Sequence, residues 1–339
     1  MARLKSNKAL GCGCLSIVIG LIVIVVILGS AYLLNFALKP SHNKGRDYPK
    51  QYAVMLRRYP WIKPWADSLY KVKALRDTYI TVRGGDTRFF AEDTTRLHAL
   101  LLAAPQHTPR TAVLIPGYTD CAVNMLHIAY IYHHLMGMNI LIPDLHANGK
   151  SGGSAMQMGW KDRTDVLRWI AIADSLYHDR TGHADIVVHG ISMGAATTMN
   201  VAGETEAPGM QDVRCFVEDC GYTSVWDEFS YELDEMFGLP EFPLLYSASA
   251  LCGLKYGWTF GQASPLRQVA KVRKPMLFIH GGNDTFVPTR MVFPLYNAKP
   301  APKYLIVFHG SAHAKSYHDH RVDYEKAVIN FVGKALCKD

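Results

Sequence analysis

The feature that most constrains the fold is a serine bracketed by glycines directly after a short apolar run. Residues 185–189 are typical of a buried strand, Gly190, Ser192 and Gly194 follow at once, and small residues at 195–199 begin a helix. A serine on such a sharp strand-to-helix turn needs these glycines, because side chains at 190 and 194 would collide with neighbouring elements. The pattern predicts that the Ser192 hydroxyl projects above a sheet as a catalytic nucleophile.

A second glycine-bracketed serine lies at residues 149–153. It stands several residues into a loop after the apolar run 139–143, and no apolar helix follows it. We therefore interpret Ser151 as an ordinary loop serine. The helix after Ser192, in contrast, directs backbone N–H groups and the positive end of its dipole to the place where an oxyanion would form.

A serine nucleophile needs a base that takes its proton and a carboxylate that orients the base. Asp284 lies in the loop after the apolar run 275–279, and His313 lies in the loop after the run 304–308. In a parallel sheet these loops and the serine turn emerge at the same carboxyl edge. We expect Ser192, His313 and Asp284 to form a catalytic triad.

Two further features belong to the predicted site. Asp219 follows the run 213–217 at the same edge and is a competing candidate for the carboxylate. The run 111–115 ends where a second oxyanion donor is needed. We expect the backbone N–H groups of Tyr118 and Met193 to hold the oxyanion, at which each such donor typically lowers the barrier by about 2.7–4 kcal/mol.

The alternation of strand and helix patterns predicts an α/β fold with a doubly wound, mostly parallel sheet. Residues 222–265 interrupt this alternation with an aromatic segment in which Trp226, Phe229 and Leu233 follow helical spacing. We interpret it as a helical lid insertion over the nucleophile; the alternative is a helical excursion that packs on the sheet. Strands are predicted at 78–82, 97–102, 111–115, 139–142, 185–189, 213–217, 275–279 and 304–308, and helices at 124–136, 161–177, 193–201, 288–297 and 319–336.

The N-terminal region contains no charged residue from 10 to 38. As a helix this stretch is roughly 43 Å long, more than the ~30 Å of a hydrocarbon core. We predict a basic tail at 1–9, a transmembrane anchor at 10–38, a juxtamembrane segment at 39–74 and a catalytic domain at 75–339. A cleavable signal peptide is the alternative, since Gly29, Ser30 and Ala31 would suit cleavage, but a signal core is shorter.

The formal net charge of +7 is concentrated around the apolar segment. Residues 1–50 hold seven of the 36 Lys and Arg but one of the 29 Asp and Glu, so the rest of the chain is nearly neutral. This balance argues against nucleic-acid binding, which needs clustered positive charge. The basic residues on the two sides of the apolar segment are nearly equal in number, so they indicate little about its orientation in the membrane. The short N-terminal tail favours a catalytic domain on the extracytoplasmic side.

The sequence gives little support for a metal site or for disulfide bonds. His133 with His134, and His318 with His320, lack further ligands at a suitable spacing, so we expect no metal and no cofactor. The five cysteines beyond residue 38 are odd in number and irregularly spaced, which does not predict a disulfide framework.

Several of these motifs together resemble the α/β-hydrolase superfamily over roughly residues 75–336. The serine turn, the D-L-H-A-N-G-K-S-G loop at 144–152, the H-G-G-N-D segment at 280–284 and the G-S-A-H segment at 310–313 carry the resemblance. In detail the chain is similar to bacterial membrane-anchored serine esterases and lipases of the monoacylglycerol-lipase, depalmitoylase and dienelactone-hydrolase-like branches. Pro116 and Gly117 stand where the family usually has His-Gly.

The resemblance implies a carboxylic-ester hydrolase that works through an acyl-enzyme. With the anchor and the aromatic insertion, it favours a small-molecule or lipid-like ester as substrate. A serine peptidase or an acyl-thioesterase would use the same residues. A catalytically silent binding protein on this fold is the alternative from a different class.

Overall fold

One sheet forms the centre of the protein. The computed structural model describes residues 3–39, 47–83 and 94–337, without the side chains of residues 3–14. All side chains of the predicted basic tail, and residues 40–46 of the juxtamembrane segment, therefore lie outside the described residues.

Within the described ranges, eight strands form the sheet, and every predicted strand is present. They are β1 (Arg76–Arg83), β2 (Thr94–Leu102), β3 (Arg110–Ile115), β4 (Asn139–Pro143), β5 (Asp185–Ile191), β6 (Val213–Asp219), β7 (Met276–Gly281) and β8 (Lys303–Phe308). Their order is β1-β2-β4-β3-β5-β6-β7-β8. The β1–β2 and β2–β4 pairs are antiparallel and all later pairs are parallel. The predicted mostly parallel sheet is confirmed.

Helices cover both faces of this sheet. They are α1 (Arg3–Leu38), α2 (Tyr48–Arg58), α3 (Lys63–Lys71), α4 (Leu126–Ala129), α5 (Asp162–Tyr177), α6 (Met193–Ala202), α7 (Val225–Phe237), α8 (Leu244–Tyr256), α9 (Pro265–Val269), α10 (Val292–Ala298), α11 (Ser316–Asp319) and α12 (Arg321–Leu336). On β5, Ile186 and Val188 belong to the core shared with α5 and α6, whereas Val187 belongs to the core shared with α12. Burial on both faces explains the uninterrupted apolar run at 186–188 of β5.

The helix predicted at 124–136 is present as a helical segment, but it is not a continuous α-helix. A 3₁₀ turn (Ala122–Met125) leads into the single turn of α4, and a π-helix (Tyr130–Leu135) follows. Side chains on every side of this segment are buried, so packing overrides helical propensity. The wider π turn accompanies a contact of 3.1 Å between the Tyr132 hydroxyl and His189 Nδ1.

A buried carboxylate at the end of β4 holds several segments together. Asp144 accepts hydrogen bonds from the Tyr48 hydroxyl, from His98 Nδ1 at 2.7 Å and from the backbone N–H groups of Lys150 at 2.8 Å and Ala122 at 2.7 Å. Tyr48 belongs to α2, so this carboxylate attaches the segment after the apolar helix to the sheet. Ser151 lies beside it: its hydroxyl donates to the Asp144 carbonyl at 2.8 Å, as expected of a structural serine.

We predict that Asp144→Ala destabilises the fold strongly, because the substitution leaves several buried donors without an acceptor. The expected loss in free energy of unfolding is about 3–5 kcal/mol. Urea unfolding in a mild detergent measures it. Asp234→Ala on the exposed side of α7 is the control and should change stability by less than about 0.5 kcal/mol. Equal effects of the two substitutions would contradict the role of Asp144.

Candidate active site

Ser192 occupies a strained turn between β5 and α6. Its φ and ψ are 58° and −122°, and its N–H donates to the Asp219 carbonyl at 2.8 Å. A Cβ at Gly190 would lie 2.0 Å from the Gly194 carbonyl oxygen, and a Cβ at Gly194 would lie 2.1 Å from that of Ile115. Glycine is therefore required at both positions, and the turn exposes the serine hydroxyl at the carboxyl edge of the sheet.

The structure brings the three predicted triad residues into one hydrogen-bonded chain. Ser192 Oγ is 2.8 Å from His313 Nε2, and His313 Nδ1 is 2.7 Å from Asp284 Oδ2. The second carboxylate oxygen, Oδ1, accepts the backbone N–H groups of Phe286 and Val287, each at 3.0 Å. The loops after β7 and β8 thus place acid and base beside the serine turn, as a triad requires.

The charge on Asp284 sets the tautomer of the histidine. Burial raises the pKa of this carboxyl, but contacts with the imidazoles of His280 and His313 outweigh it and hold the pKa below its usual range. An ionised Asp284 can only accept a hydrogen bond, so Nδ1 of His313 carries the proton. Nε2 is then free to accept the proton of Ser192.

Asp219, the competing acid, points elsewhere. Its carboxylate accepts the Tyr324 hydroxyl at 2.9 Å, and burial raises its pKa to about 6. Its backbone carbonyl, in contrast, holds the N–H of Ser192. The hydrogen-bond geometry therefore favours Asp284 as the partner of His313 and gives Asp219 a place in the serine turn.

The segment 116–119 approaches Ser192 closely. A Cβ built on Gly117 would lie 3.4 Å from Ser192 Cβ and 3.9 Å from its Oγ. Tyr118 and Met193 line the same cavity as the serine. This placement is consistent with the predicted pair of backbone donors, one after β3 and one at the first residue of α6.

Comparison with known proteins places this arrangement in a family. No family model matches the sequence. Over 230 residues the chain is 32% identical to the uncharacterized protein YqkD of Bacillus subtilis (strain 168), a match that covers 68% of this chain and 73% of YqkD.

Solved structures share the fold at lower identity. An esterase of Pyrococcus furiosus is 19% identical with a TM-score of 0.57, covering 78% of this chain and 93% of its own. The acylaminoacyl peptidase of Pyrococcus horikoshii is 17% identical with a TM-score of 0.56, covering 78% and 42%. The α/β hydrolase GrgF of Penicillium sp. sh18 is 13% identical with a TM-score of 0.56, covering 78% and 100%.

The chain belongs to the family of YqkD and has the α/β-hydrolase fold. The fold implied by the resemblance in the sequence is thereby confirmed, and residues 192, 284 and 313 stand on the turn and loops that the resemblance implied.

A cavity of about 590 Å³ opens beside the serine of this α/β-hydrolase. Its size is typical of sites for small molecules. Helices α7 and α8, which occupy most of the interval predicted as a lid, form part of its wall through side chains such as Phe229 and Leu245. The end of α1 forms another part. Most of the lining is apolar, which suits a hydrophobic portion of a substrate.

A buried acid on α7 is one of the polar residues in this wall. Glu228 is 4% exposed, and its Oε2 has no hydrogen-bond partner within the described part of the chain. Burial raises the pKa of this carboxyl well above its usual range, and the nearby charges of Glu232 and Asp284 raise it further. This shift favours the protonated form of Glu228, which can donate a hydrogen bond.

The candidate metal ligands of the sequence are used within the fold. His133 accepts the indole N–H of Trp65 at 3.2 Å through Nδ1 and contacts the Ala103 carbonyl at 3.1 Å through Nε2. His318 Nδ1 lies 2.8 Å from Asp319, its neighbour in the chain. These contacts account for the rings without a metal ion.

One cluster at the site has the spacing of a metal centre. Ligand atoms of Cys220, Asp284 and His313 lie within 4.8 Å of one another. Burial raises the pKa of the Cys220 thiol well above its usual range, which disfavours the thiolate that a metal would bind. Asp284 and His313 are also already paired, so the cluster suits acid–base chemistry better.

Sequence reasoning missed two contributors to the cavity. Glu228 was one of several acids on a helical pattern, and its position between the apolar Trp226 and Phe229 was the one available signal. The end of α1 was interpreted only as membrane anchor. The available signal for this second role was the length of the helix, which exceeds what a bilayer crossing requires.

We predict that substitutions of the two candidate acids lower kcat/KM to different extents. Asp284→Asn removes the charge that fixes the His313 tautomer and should lower kcat/KM for a short aryl ester about 10³–10⁴-fold. Asp219→Asn retains an acceptor for Tyr324 and should lower it less than about tenfold. Steady-state kinetics at neutral pH compare the two variants. The reverse order of losses would assign the acid to Asp219.

We also predict a pH effect on stability from Glu218 at the end of β6. One of its oxygens accepts the Gly221 N–H at 3.0 Å, and burial raises its pKa to about 8. The folded state thus binds a proton that the unfolded state releases above its ordinary pKa of about 4.3. The contribution of Glu218 to the free energy of unfolding is complete below the ordinary pKa and is lost as the pH rises towards 8.

Glu218→Gln abolishes this titration. Relative to the variant, the wild type should lose on the order of 3 kcal/mol of unfolding free energy between about pH 5 and pH 8. Urea unfolding at both pH values measures the difference. Glu235→Gln, at an exposed position of α7, is the control and should track the wild type. A Glu218→Gln variant with the wild-type pH dependence would contradict the buried titration.

Proposed function

We propose that this α/β-hydrolase is a membrane-anchored serine hydrolase that cleaves carboxylic esters through an acyl-enzyme. The observation that carries the proposal is the chain of contacts from Ser192 Oγ to His313 Nε2 at 2.8 Å and from His313 Nδ1 to Asp284 at 2.7 Å. Hydroxyl, imidazole and ionised carboxylate in this order are the groups that acyl transfer to a serine requires.

The reaction proceeds in two halves. Ser192 Oγ attacks the ester carbonyl while its proton moves to His313 Nε2, and the N–H groups of Tyr118 and Met193 stabilise the oxyanion. The C–O bond to the alcohol breaks, the alcohol takes the proton from His313, and the acyl group stays on the serine. Water then gives a proton to His313 and attacks the acyl carbon. The acid leaves, and Ser192 regains its proton.

The cavity supports an ester with an apolar acyl portion. Side chains of α7, α8 and α1 surround it, and Phe229, Leu233 and Leu245 are among them. Transfer of methylene groups from water to such a wall is favourable by about 0.8 kcal/mol each. The esterase and acylaminoacyl peptidase of the two Pyrococcus species share the fold alone, so substrate preference is argued here from the cavity.

The anchor rests on the length and composition of α1. Leu15–Leu38 has a mean hydropathy of 3.0, and in the described part of the chain it is the one helix long and apolar enough to cross a membrane. A membrane anchor in this position, with the short tail inside, would put the catalytic domain on the extracytoplasmic side.

We predict that a fluorophosphonate probe labels the full-length protein and that Ser192→Ala abolishes both labelling and hydrolysis of short aryl esters. Ser151→Ala, the other glycine-bracketed serine, is the matched control and should still be labelled. Gel fluorescence and ester assays read out the result. Labelling that persists in Ser192→Ala would refute the nucleophile, and an unlabelled wild type would favour a catalytically silent binding protein.

The same preparation distinguishes the activities that share this machinery. A matched ester, thioester and amide with one acyl group should be turned over in the order ester, thioester, amide if the proposal is correct. Faster turnover of the amide would indicate a peptidase, and faster turnover of the thioester would indicate a thioesterase.

A further inference from the structure

The apolar helix α1 is longer than a bilayer crossing requires. About 20 residues span a hydrocarbon core of ~30 Å, so residues 10–29 would suffice and residues 30–38 are surplus. The exposure of side chains changes at the same point. Leu15, Leu21 and Leu28 are 57–64% exposed, whereas Ser30, Leu34 and Leu38, spaced four apart on one face, are 0–4% exposed. The surplus turns are therefore packed into the catalytic domain.

These turns contact α8 and α7 directly. Ser30 Oγ lies 2.7 Å from Ser247 Oγ and 3.1 Å from the Leu244 carbonyl oxygen. The approach of the helices is close, because a Cβ on Gly29 would lie 3.2 Å from a methyl carbon of Leu244. Further down, the ring of Phe36 meets that of Phe237 edge to face at 5.7 Å.

The last carbonyl groups of α1 are held by loops of the active site. The Ala37 carbonyl accepts the Tyr118 hydroxyl at 2.7 Å, and the Leu38 carbonyl accepts the Met156 N–H at 2.7 Å. Tyr118 is also the residue whose N–H is proposed to hold the oxyanion. The helix end is thus fixed to the same segment that lies against Ser192.

The cavity beside the serine is walled on one side by these turns. Residues 33–37 and Lys39 line it, opposite side chains of α7 such as Leu233 and Phe237. Because the bilayer would end near residue 30, the cavity lies where α1 leaves the membrane. An acyl chain passing from lipid to Ser192 along this helix stays in contact with apolar side chains and avoids water.

Resting on the proposed ester hydrolysis, we propose that residues 33–39 of α1 are a wall of the acyl-binding site and that the substrate is a long-chain acyl ester taken from the adjoining leaflet of the bilayer. The helix is then a part of the binding site as well as an anchor. The substrate's carbonyl reaches Ser192 at one end of the cavity, and its hydrocarbon chain lies against Leu34 at the other.

The test places a larger side chain on the wall of the cavity that α1 forms. Leu34→Trp in the full-length protein should lower kcat/KM for an aryl dodecanoate about tenfold or more, since each methylene kept from the wall costs roughly fourfold. Hydrolysis of the butyrate should fall by a smaller factor than that of the dodecanoate, because the shorter acyl chain contacts less of this wall. Leu28→Trp is the matched control: it makes the same substitution on an exposed position of the same helix and should change neither rate.

A second measurement keeps the proposal testable if Leu34→Trp disturbs packing and lowers both rates to the same extent. A dodecyl fluorophosphonate with a diazirine at the end of its chain is attached to the wild-type serine and irradiated, and the crosslinked peptide is identified by mass spectrometry. Crosslinks within residues 33–39 support the wall.

Two results would overturn it: crosslinks confined to other segments, or an unchanged dodecanoate rate in Leu34→Trp. A wild type that neither reacts with the probe nor cleaves the butyrate would instead refute the proposed ester hydrolysis.

Discussion

The steric fit of the turn at Ser192 is the constraint on which the active site depends. Gly194 lies against the carbonyl of Ile115 at the end of β3, so α6 can begin only where the backbone of the neighbouring strand allows. The same contact brings Gly117 against the serine side chain. One close approach of backbone to backbone thus positions the nucleophile and the segment proposed to bind the oxyanion, and side chains decide neither position.

Burial alone does not determine the charge of the acids around this turn. Glu218 and Glu228 are buried, each with an oxygen that has no partner among the residues that the structure describes, and burial raises the pKa of each. Asp284 is also buried, but two imidazoles and two backbone N–H groups surround it and its pKa is lowered. Asp284 differs from the two glutamates in the number of hydrogen-bond donors around its carboxylate. His313 consequently faces an ionised acid.

The sequence predicted the strands and the Ser192, Asp284 and His313 arrangement because both follow from local patterns. Apolar runs give the strands, and chain order gives the edge at which their loops meet. It favoured Asp284 but left Asp219 as a competing acid, since both follow strands at that edge and only side-chain direction distinguishes them. The contact of Ser30 with α8 could not be predicted either, because no local sequence pattern indicates a pairing between residues so far apart in the chain.

The pairing of α1 with α8 also constrains how the chain matures. Ser30 and Ser247 are 217 positions apart, so the helix leaves the ribosome long before its partner exists. Loop closure over such a separation is slow compared with local helix formation. During that interval Leu34 and Leu38 lack the contacts that α8 supplies in the folded protein. The compartment next to Ser192 therefore closes late in biogenesis, after the sheet strands up to β6 have been synthesised.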